Sequence, residues 1–281
     1  MPELPEVETI VRNLRPSLLG RQILGARVFW PRTIAAPSPR AFLRLVQGQT
    51  IKDVGRRAKF LHIKLSTSHL LIHLRMSGDL YVRQGKASAE KHDRLILFLS
   101  MEQQRGSRKE NARQEMVTSL VFNDTRKFGR VWLTDNLESV TGELGPEPLE
   151  PAFTAELLYG RLRARRRRLK SLLLDQRFLA GMGNIYTDEA LHLAKLHPLK
   201  PSQSMSRVQA RRLHEAIQII LREGIRRNGA SIDWVYRGGD FQNHFRVYDR
   251  EGQPCLVCGT TIRRLVIGQR GTHICPRCQR I

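Results

Sequence analysis

Apolar residues recur at helical spacing near the start of the chain, at Val7, Ile10, Val11, Leu14 and Leu18, and Gly20 closes the run. This pattern predicts an amphipathic helix with one buried face. From Gly25 to Leu133 the period shortens: residues 51–54, 60–65, 70–74, 95–99 and 120–122 read as short strands separated by tight turns. Many short strands of this kind predict an antiparallel sandwich or barrel-like unit. Between two of them, the hydrophilic segment 102–117, rich in Gln, Arg, Lys and Glu, reads as an extended and mobile hairpin loop. The Gly- and Pro-rich stretch 142–149 is the expected linker. Helical spacing then dominates from Phe153 to about Gly229, with a helix pair expected between Val208 and Ile225. The predicted fold class is α+β.

Charge narrows the partner. The 281 residues suffice for about two domains. They include 48 Lys and Arg against 26 Asp and Glu, a formal net charge of +22. Such an excess points to a polyanion, nucleic acid first and an anionic membrane surface second. No apolar run approaches the roughly 20 residues that span a bilayer. No basic segment followed by an apolar core and a cleavage site opens the chain, so the expected compartment is the cytoplasm.

All four cysteines, Cys255, Cys258, Cys275 and Cys278, sit near the C-terminus with the spacing C-x2-C-x16-C-x2-C. Two such knuckles present four thiolates to one tetrahedral Zn²⁺. Four thiolates leave no open position for water, so the expected metal is structural. The alternative, two disulfides, needs an oxidising compartment that nothing else in the chain supports.

The terminus reads Met1-Pro2-Glu3-Leu4-Pro5-Glu6. Removal of Met1 would leave a secondary amine on Pro2, and an α-amino group titrates near pH 8, well below a lysine. Amines in their unprotonated form attack carbonyl-like carbons. The plainer reading is that the prolines stiffen a terminus and the acids suit a helix dipole. Further polar spots lie at strand edges: Lys59 after a turn, Met76 in the turn following His73, and Arg126 and Phe128 in a second turn. Taken alone, each is as readily ordinary core or solvated surface. Gly181-Met182-Gly183-Asn184 permits a tight turn into a helix whose N-terminal N–H groups can bind an anion, with Asn184 as cap or phosphate ligand.

Together the stretches Pro2-Glu3-Leu4-Pro5-Glu6-Val7-Glu8-Thr9, His73-Leu74-Arg75-Met76-Ser77-Gly78, Asn123-Asp124-Thr125-Arg126-Lys127-Phe128-Gly129, Gly181-Met182-Gly183-Asn184-Ile185-Tyr186 and the cysteine hairpin resemble the formamidopyrimidine-DNA glycosylase family from end to end. The resemblance implies an N-terminal antiparallel β-sandwich with an N-terminal helix, a helix–two-turn–helix domain and a C-terminal zinc β-hairpin. It implies domains at 1–135, 151–240 and 241–281, joined by a linker at 136–150. The implied activity is base-excision repair: release of oxidised purines such as 8-oxoguanine and formamidopyrimidines from duplex DNA, then AP lyase cleavage by β,δ-elimination. The implied enzyme acts as a monomer in the bacterial cytoplasm, at the nucleoid.

By that resemblance Pro2 is the nucleophile and Glu3 the general acid/base, with Glu6 in support. Lys59 assists β-elimination and Arg270 on the zinc hairpin assists δ-elimination. Met76, Arg126 and Phe128 fill the void left by the extruded nucleotide. His92, Arg126, Arg165, Lys170 and Asn184 bind backbone phosphate. The segment 231–241 stands where some members carry a longer lesion-capping loop, and segment 102–117 matches no role in the family. The sequence is also compatible with two other functions: the same chemistry on oxidised pyrimidines, and a non-catalytic zinc protein that binds bent or damaged DNA.

Overall fold

The computed structural model describes residues 1–85, 88–100, 118–231 and 238–281. The expected loop 102–117 and most of the capping segment 231–241 therefore lie outside the described residues. The chain forms two units. The described residues of the first are Met1–Pro2 and Val7–Gly142 without the gaps above; those of the second are Glu3–Glu6, 143–231 and 238–281. Helix α1 (Leu4–Leu18) gives its first turn to the second unit and the remainder to the first.

The first unit is built on two sheets. One has the order β1 (Ile23–Val28), β7 (Asp93–Leu99), β8 (Thr118–Asp124), β6 (Gly78–Gln84), all antiparallel. The other runs β2 (Ile34–Ala36), β9 (Arg130–Thr134), β5 (His69–His73), β4 (Phe60–Leu65), β3 (Ile51–Arg57). Its one parallel pair is β2 with β9. Alternate residues of both sheets, including Leu61, Ile63, Leu70, Ile72, Leu95, Leu97, Leu120 and Phe122, join the Val7, Ile10, Val11, Leu14, Leu18 face of α1 in one buried cluster. The period of two along each strand aims one set of side chains at that core. A second helix, α2 (Pro39–Val46), adds Phe42 and Val46. Its start is set by Ser38, whose hydroxyl accepts the Ala41 N–H, and by Pro39 in the first turn.

Apart from Glu3–Glu6, the second unit starts at Glu143, inside the Gly- and Pro-rich stretch. It comprises α4 (Ala155–Arg163), α5 (Leu169–Leu173), α6 (Asn184–Leu193), α7 (Arg207–Arg226) and the hairpin β10 (Arg263–Ile267) with β11 (Arg270–Ile274). A short α3 (Glu138–Thr141) ends the first unit. The helix pair expected between Val208 and Ile225 is a single helix, α7. No proline interrupts that stretch, its glycine Gly224 falls in the last turn, and Ser206 and Gln209 form a reciprocal capping box at its start. Leu4 belongs to the apolar core of this unit with Leu179, Met182, Tyr186, Leu213 and Ile217. Among the described residues no helix is long and apolar enough to cross a membrane.

Candidate active site and nucleic-acid interface

The first turn of α1 is bound by the turn that precedes α6. The Leu4 N–H donates to the Gly181 carbonyl at 3.1 Å. Gly181 has φ +93°, and a Cβ there would lie 2.6 Å from Leu4 Cδ1. Gly183 is required for a second reason: a Cβ on it would overlap the Glu3 carboxylate. The two glycines that permit the turn thus also admit Leu4 and Glu3.

Glu3 is 3% exposed, and its Oε1 accepts the Ile185 N–H at 3.0 Å in the first turn of α6. The anion at this helix N-terminus is therefore the protein's own catalytic candidate, a favourable place for a carboxylate. Glu6 fixes the terminus from below. Its Oε2 accepts the Glu3 N–H at 2.8 Å, and its Oε1 accepts the Tyr186 hydroxyl at 2.6 Å and the Ala230 N–H at 2.7 Å. A Cβ at Gly229, with φ +78°, would lie 2.6 Å from Glu6 Oε1. Pro2 is half-buried and joined directly to this anchored residue, and Met1 is 42% exposed.

Asn184 does not cap α6; the cap position is Gly183, with no side-chain bond. Its Nδ2 instead donates to the Gly271 carbonyl at 3.0 Å. Lys170 shares that carbonyl partner. Expected on a phosphate, it is buried in the second unit, donating to Asp188 Oδ1 at 2.7 Å and to the Gly271 carbonyl at 2.9 Å. Burial pushes its ammonium down, and Asp188 opposes that shift. Asp188 Oδ2 accepts the His273 N–H at 2.9 Å. Desolvation offsets most of the attraction within such a pair, so its main effect is to fix geometry. What it fixes is the hairpin carrying Arg270.

Gly268 and Gln269, at φ +56° and +61°, form the two-residue turn between β10 and β11. Both central residues in the left-handed region match the twist of a tight hairpin. Arg270 stands exposed immediately after this turn. Arg264, which the sequence reading passed over, lies beside it: a Cβ on Gly271 would be 3.2 Å from the Arg264 guanidinium. A small residue diagonal to a cation across the hairpin was the available signal, since Gly271 pairs with Val266 and Arg264 with His273. Tyr248, also passed over, lies close enough to Asn184 for a side-chain hydrogen bond, and burial raises its phenol pKa.

The four Sγ atoms of Cys255, Cys258, Cys275 and Cys278 lie within 4.8 Å of one another, and none is paired in a disulfide. Three of the separations are 3.5, 3.5 and 4.0 Å. Tetrahedral Zn–S bonds of about 2.3 Å require S···S distances of about 3.8 Å, so this donor set fits zinc. Hydrogen bonds from Thr260 pull the Cys258 thiol down, while burial pushes Cys275 and Cys278 up, so the charge of a bound metal is what would hold all four as thiolates. His192 on α6 places Nε2 3.5 Å from Cys255 Sγ, a second-layer contact that ties the cysteines to that helix.

In the first unit, Lys59 is buried in the two-residue turn between β3 and β4, after Ala58 at φ +54°. His73, at the end of β5, sets its ring edge-on to Phe60 at 4.8 Å and accepts the Arg75 N–H at Nδ1. Met76 and Phe128 are exposed, at 41% and 48%. The Arg126 guanidinium stacks 5.0 Å over the Phe128 ring. His92 is half-buried, and Arg126 and, in the second unit, Arg165 are exposed.

Burial, then the charges of Arg75 and Lys59, lowers His73 to about 3. In the unfolded chain it titrates near 6.5. As pH falls below 6.5 the unfolded state takes up a proton that the folded state refuses, so this stability is complete above 6.5 and drains away towards pH 3. Thermal melts from pH 7 to pH 5 should show a falling Tm, and His73→Asn should flatten that fall. An equally steep fall in the variant would contradict the assignment.

Comparison with known proteins agrees along the chain. Family models match at residues 1–131 (formamidopyrimidine-DNA glycosylase N-terminal domain), 144–235 (formamidopyrimidine-DNA glycosylase H2TH domain) and 252–281 (zinc finger found in FPG and IleRS). The chain is 46% identical to the formamidopyrimidine-DNA glycosylase of Chloroflexus aurantiacus, covering 99% of this chain and 98% of the relative. It is 41% identical to that of Protochlamydia amoebophila over the whole of both. Among solved structures it is similar to a MutM in complex with DNA containing carbocyclic 8-oxo-G (TM-score 0.89, 34% identity). A Lactococcus lactis formamidopyrimidine-DNA glycosylase bound non-covalently to DNA with an AP site gives a TM-score of 0.88 at 33% identity. Both alignments cover all of both chains.

Proposed function

The chain belongs to the formamidopyrimidine-DNA glycosylase family, and from that premise we infer that its residues act as follows. The protein is a base-excision repair glycosylase and AP lyase that takes duplex DNA carrying oxidised purines or abasic sites, works as a monomer and holds one structural zinc. Its work is done in the bacterial cytoplasm, on the nucleoid. With Met1 removed, the Pro2 nitrogen attacks C1′ of the damaged nucleoside and the base departs. The amine proton is lost, O4′ is protonated and the C1′–O4′ bond breaks, opening the sugar to an iminium. Coming from a secondary amine, the iminium has no N–H to lose, and as an electron sink it acidifies the C2′ proton and opens the way to β-elimination. Glu3 carries protons during base release and sugar opening. The observation that supports this most is the Glu3 carboxylate itself: it accepts the Ile185 N–H in space left by Gly183, one residue from the Pro2 nitrogen.

Lys59 assists the first elimination and Arg270 the second. Cys255, Cys258, Cys275 and Cys278 hold the zinc, whose contribution is to stiffen the finger that carries Arg270. His92, Arg126, Arg165 and Asn184 bind the DNA backbone, contacts that position the duplex without reading sequence. Asn184 has a second Nδ2 hydrogen for this beside the one given to Gly271, and Lys170 joins these contacts through the third hydrogen of its ammonium, the other two being taken by Asp188 and Gly271. Attack at C1′ requires an extruded nucleotide. Met76, Arg126 and Phe128 fill the gap, offsetting part of the few kcal/mol that unstacking costs. Single-turnover release from duplexes with 8-oxoguanine, formamidopyrimidine or an oxidised pyrimidine opposite its usual partner tests the substrate class. The purine lesions should leave faster; preferential release of the pyrimidine would overturn the assignment.

A further inference from the structure

Two turns of the first unit carry Met76, Arg126 and Phe128, and each holds a non-glycine residue in the left-handed region: Arg75 at φ +57° and Lys127 at φ +61°. Such backbone persists where its surroundings enforce it. The β6–β8 ladder brings the turns side by side and ends at the pair Gly78 and Asp124. Beyond the ladder, the bonds that cross from one turn to the other involve Ser77. Its hydroxyl donates to Asp124 Oδ1 at 2.5 Å and accepts the Arg126 N–H at 3.0 Å. Asp124, 1% exposed, also accepts the Arg126 N–H on Oδ1 at 3.2 Å and the Gly129 N–H on Oδ2 at 2.7 Å. Its carbonyl accepts Arg94 Nε at 2.7 Å.

Packing reinforces the same junction. A Cβ at Gly78 would lie 2.9 Å from the Phe122 ring, and one at Gly129 would overlap it, so both turns close on a single buried aromatic. The Arg130 guanidinium binds the carbonyls of Lys127, Phe128 and Gly129, which shapes the second turn but does not set its place against the first.

We propose that Ser77 and Asp124 form a clasp that locks the Met76 turn to the Arg126–Phe128 turn, so that the three exposed side chains enter the DNA as one rigid wedge. Ser77 and Asp124 are then positioning residues for nucleotide extrusion. The proposal rests on the void-filling role given above to Met76, Arg126 and Phe128.

Ser77→Ala deletes one oxygen and is the test. Three quantities are followed: single-turnover release of 8-oxoguanine from duplex, fluorescence of a base analogue opposite the lesion that reports void filling, and β-elimination at an abasic site in single-stranded DNA, which needs no wedge. The first two should fall about tenfold, the loss expected for a buried hydrogen bond to a charged group, while the third stays within about twofold of wild type. Met76→Ala should slow void filling by itself, and Ser77→Ala should add little to it, because residues acting as one unit are not additive. Unchanged void filling in Ser77→Ala, or fully multiplicative losses in the double variant, would overturn the clasp. Equal loss on single-stranded DNA would reduce Ser77 to a general structural role and overturn it too. Unchanged void filling in Met76→Ala would reject the wedge reading itself, and the clasp with it.

Discussion

Glu3→Gln is expected to lower single-turnover release of 8-oxoguanine about a thousandfold, within the range of a lost general acid/base. The substitution is nearly isosteric, so it tests the proton and not the packing. The glutamine oxygen can still accept the Ile185 N–H that now reaches Glu3 Oε1 at 3.0 Å, and Gly183 still leaves room for it. Glu6 keeps its bonds to the Glu3 N–H, the Tyr186 hydroxyl and the Ala230 N–H, so Pro2 stays where it is. Thermal stability and duplex affinity should therefore change little while the rate collapses. Gly183→Ala makes the converse case. The added methyl overlaps the Glu3 carboxylate, so both rate and stability should fall. A Glu3→Gln enzyme with near-wild-type release would remove Glu3 from the chemistry.

Zinc removal is the second large effect. The apolar core at the cysteines is small, Val247, Cys255, Ile262 and Cys275 with Cys258 and Cys278 against it. Too little apolar area is buried there to hold the finger closed, and metal binding to four thiolates supplies on the order of 10 kcal/mol of apparent folding free energy in comparable fingers. The hairpin keeps secondary anchors at Asp188, Lys170 and Asn184, and the Gln279 side chain donates to the Leu196 carbonyl at 3.0 Å. These anchors hold its edges but cannot replace the metal. Zinc extraction, followed with a chromophoric chelator, should release about one metal per chain, the stoichiometry of a four-thiolate site. Duplex affinity should fall at least a hundredfold in step, as ordered DNA contacts are lost. Full duplex binding by zinc-free protein would contradict the role given to the finger.

Much of this architecture was legible because it is written in periodicity. The α1 face, the strands β3, β4, β5, β7 and β8, and the cysteine knuckles each follow from local spacing. Helix α2 was passed over although Ser38-Pro39 and the Phe42, Val46 spacing announce it, because eight residues among strands give a weak helical signal. The roles of the glycines were harder to see. Gly181 and Gly183 read as turn formers, yet what constrains them are Leu4 and Glu3, nearly 180 residues away in sequence. The burial of Lys170 was hidden for a related reason: its partner Asp188 is 18 residues further along, and only the tertiary fold brings the two together inside the second unit. Contacts at long sequence separation leave no periodic trace, and most of this site is built from them.

The most direct test of the account is borohydride trapping on a duplex with one 8-oxoguanine opposite cytosine, using protein shown by mass to begin at Pro2. Reduction should lock the iminium into a covalent protein–DNA adduct through the Pro2 nitrogen, and Pro2→Gly should trap far less. An enzyme that binds this duplex and yields no adduct would contradict the N-terminal amine as nucleophile.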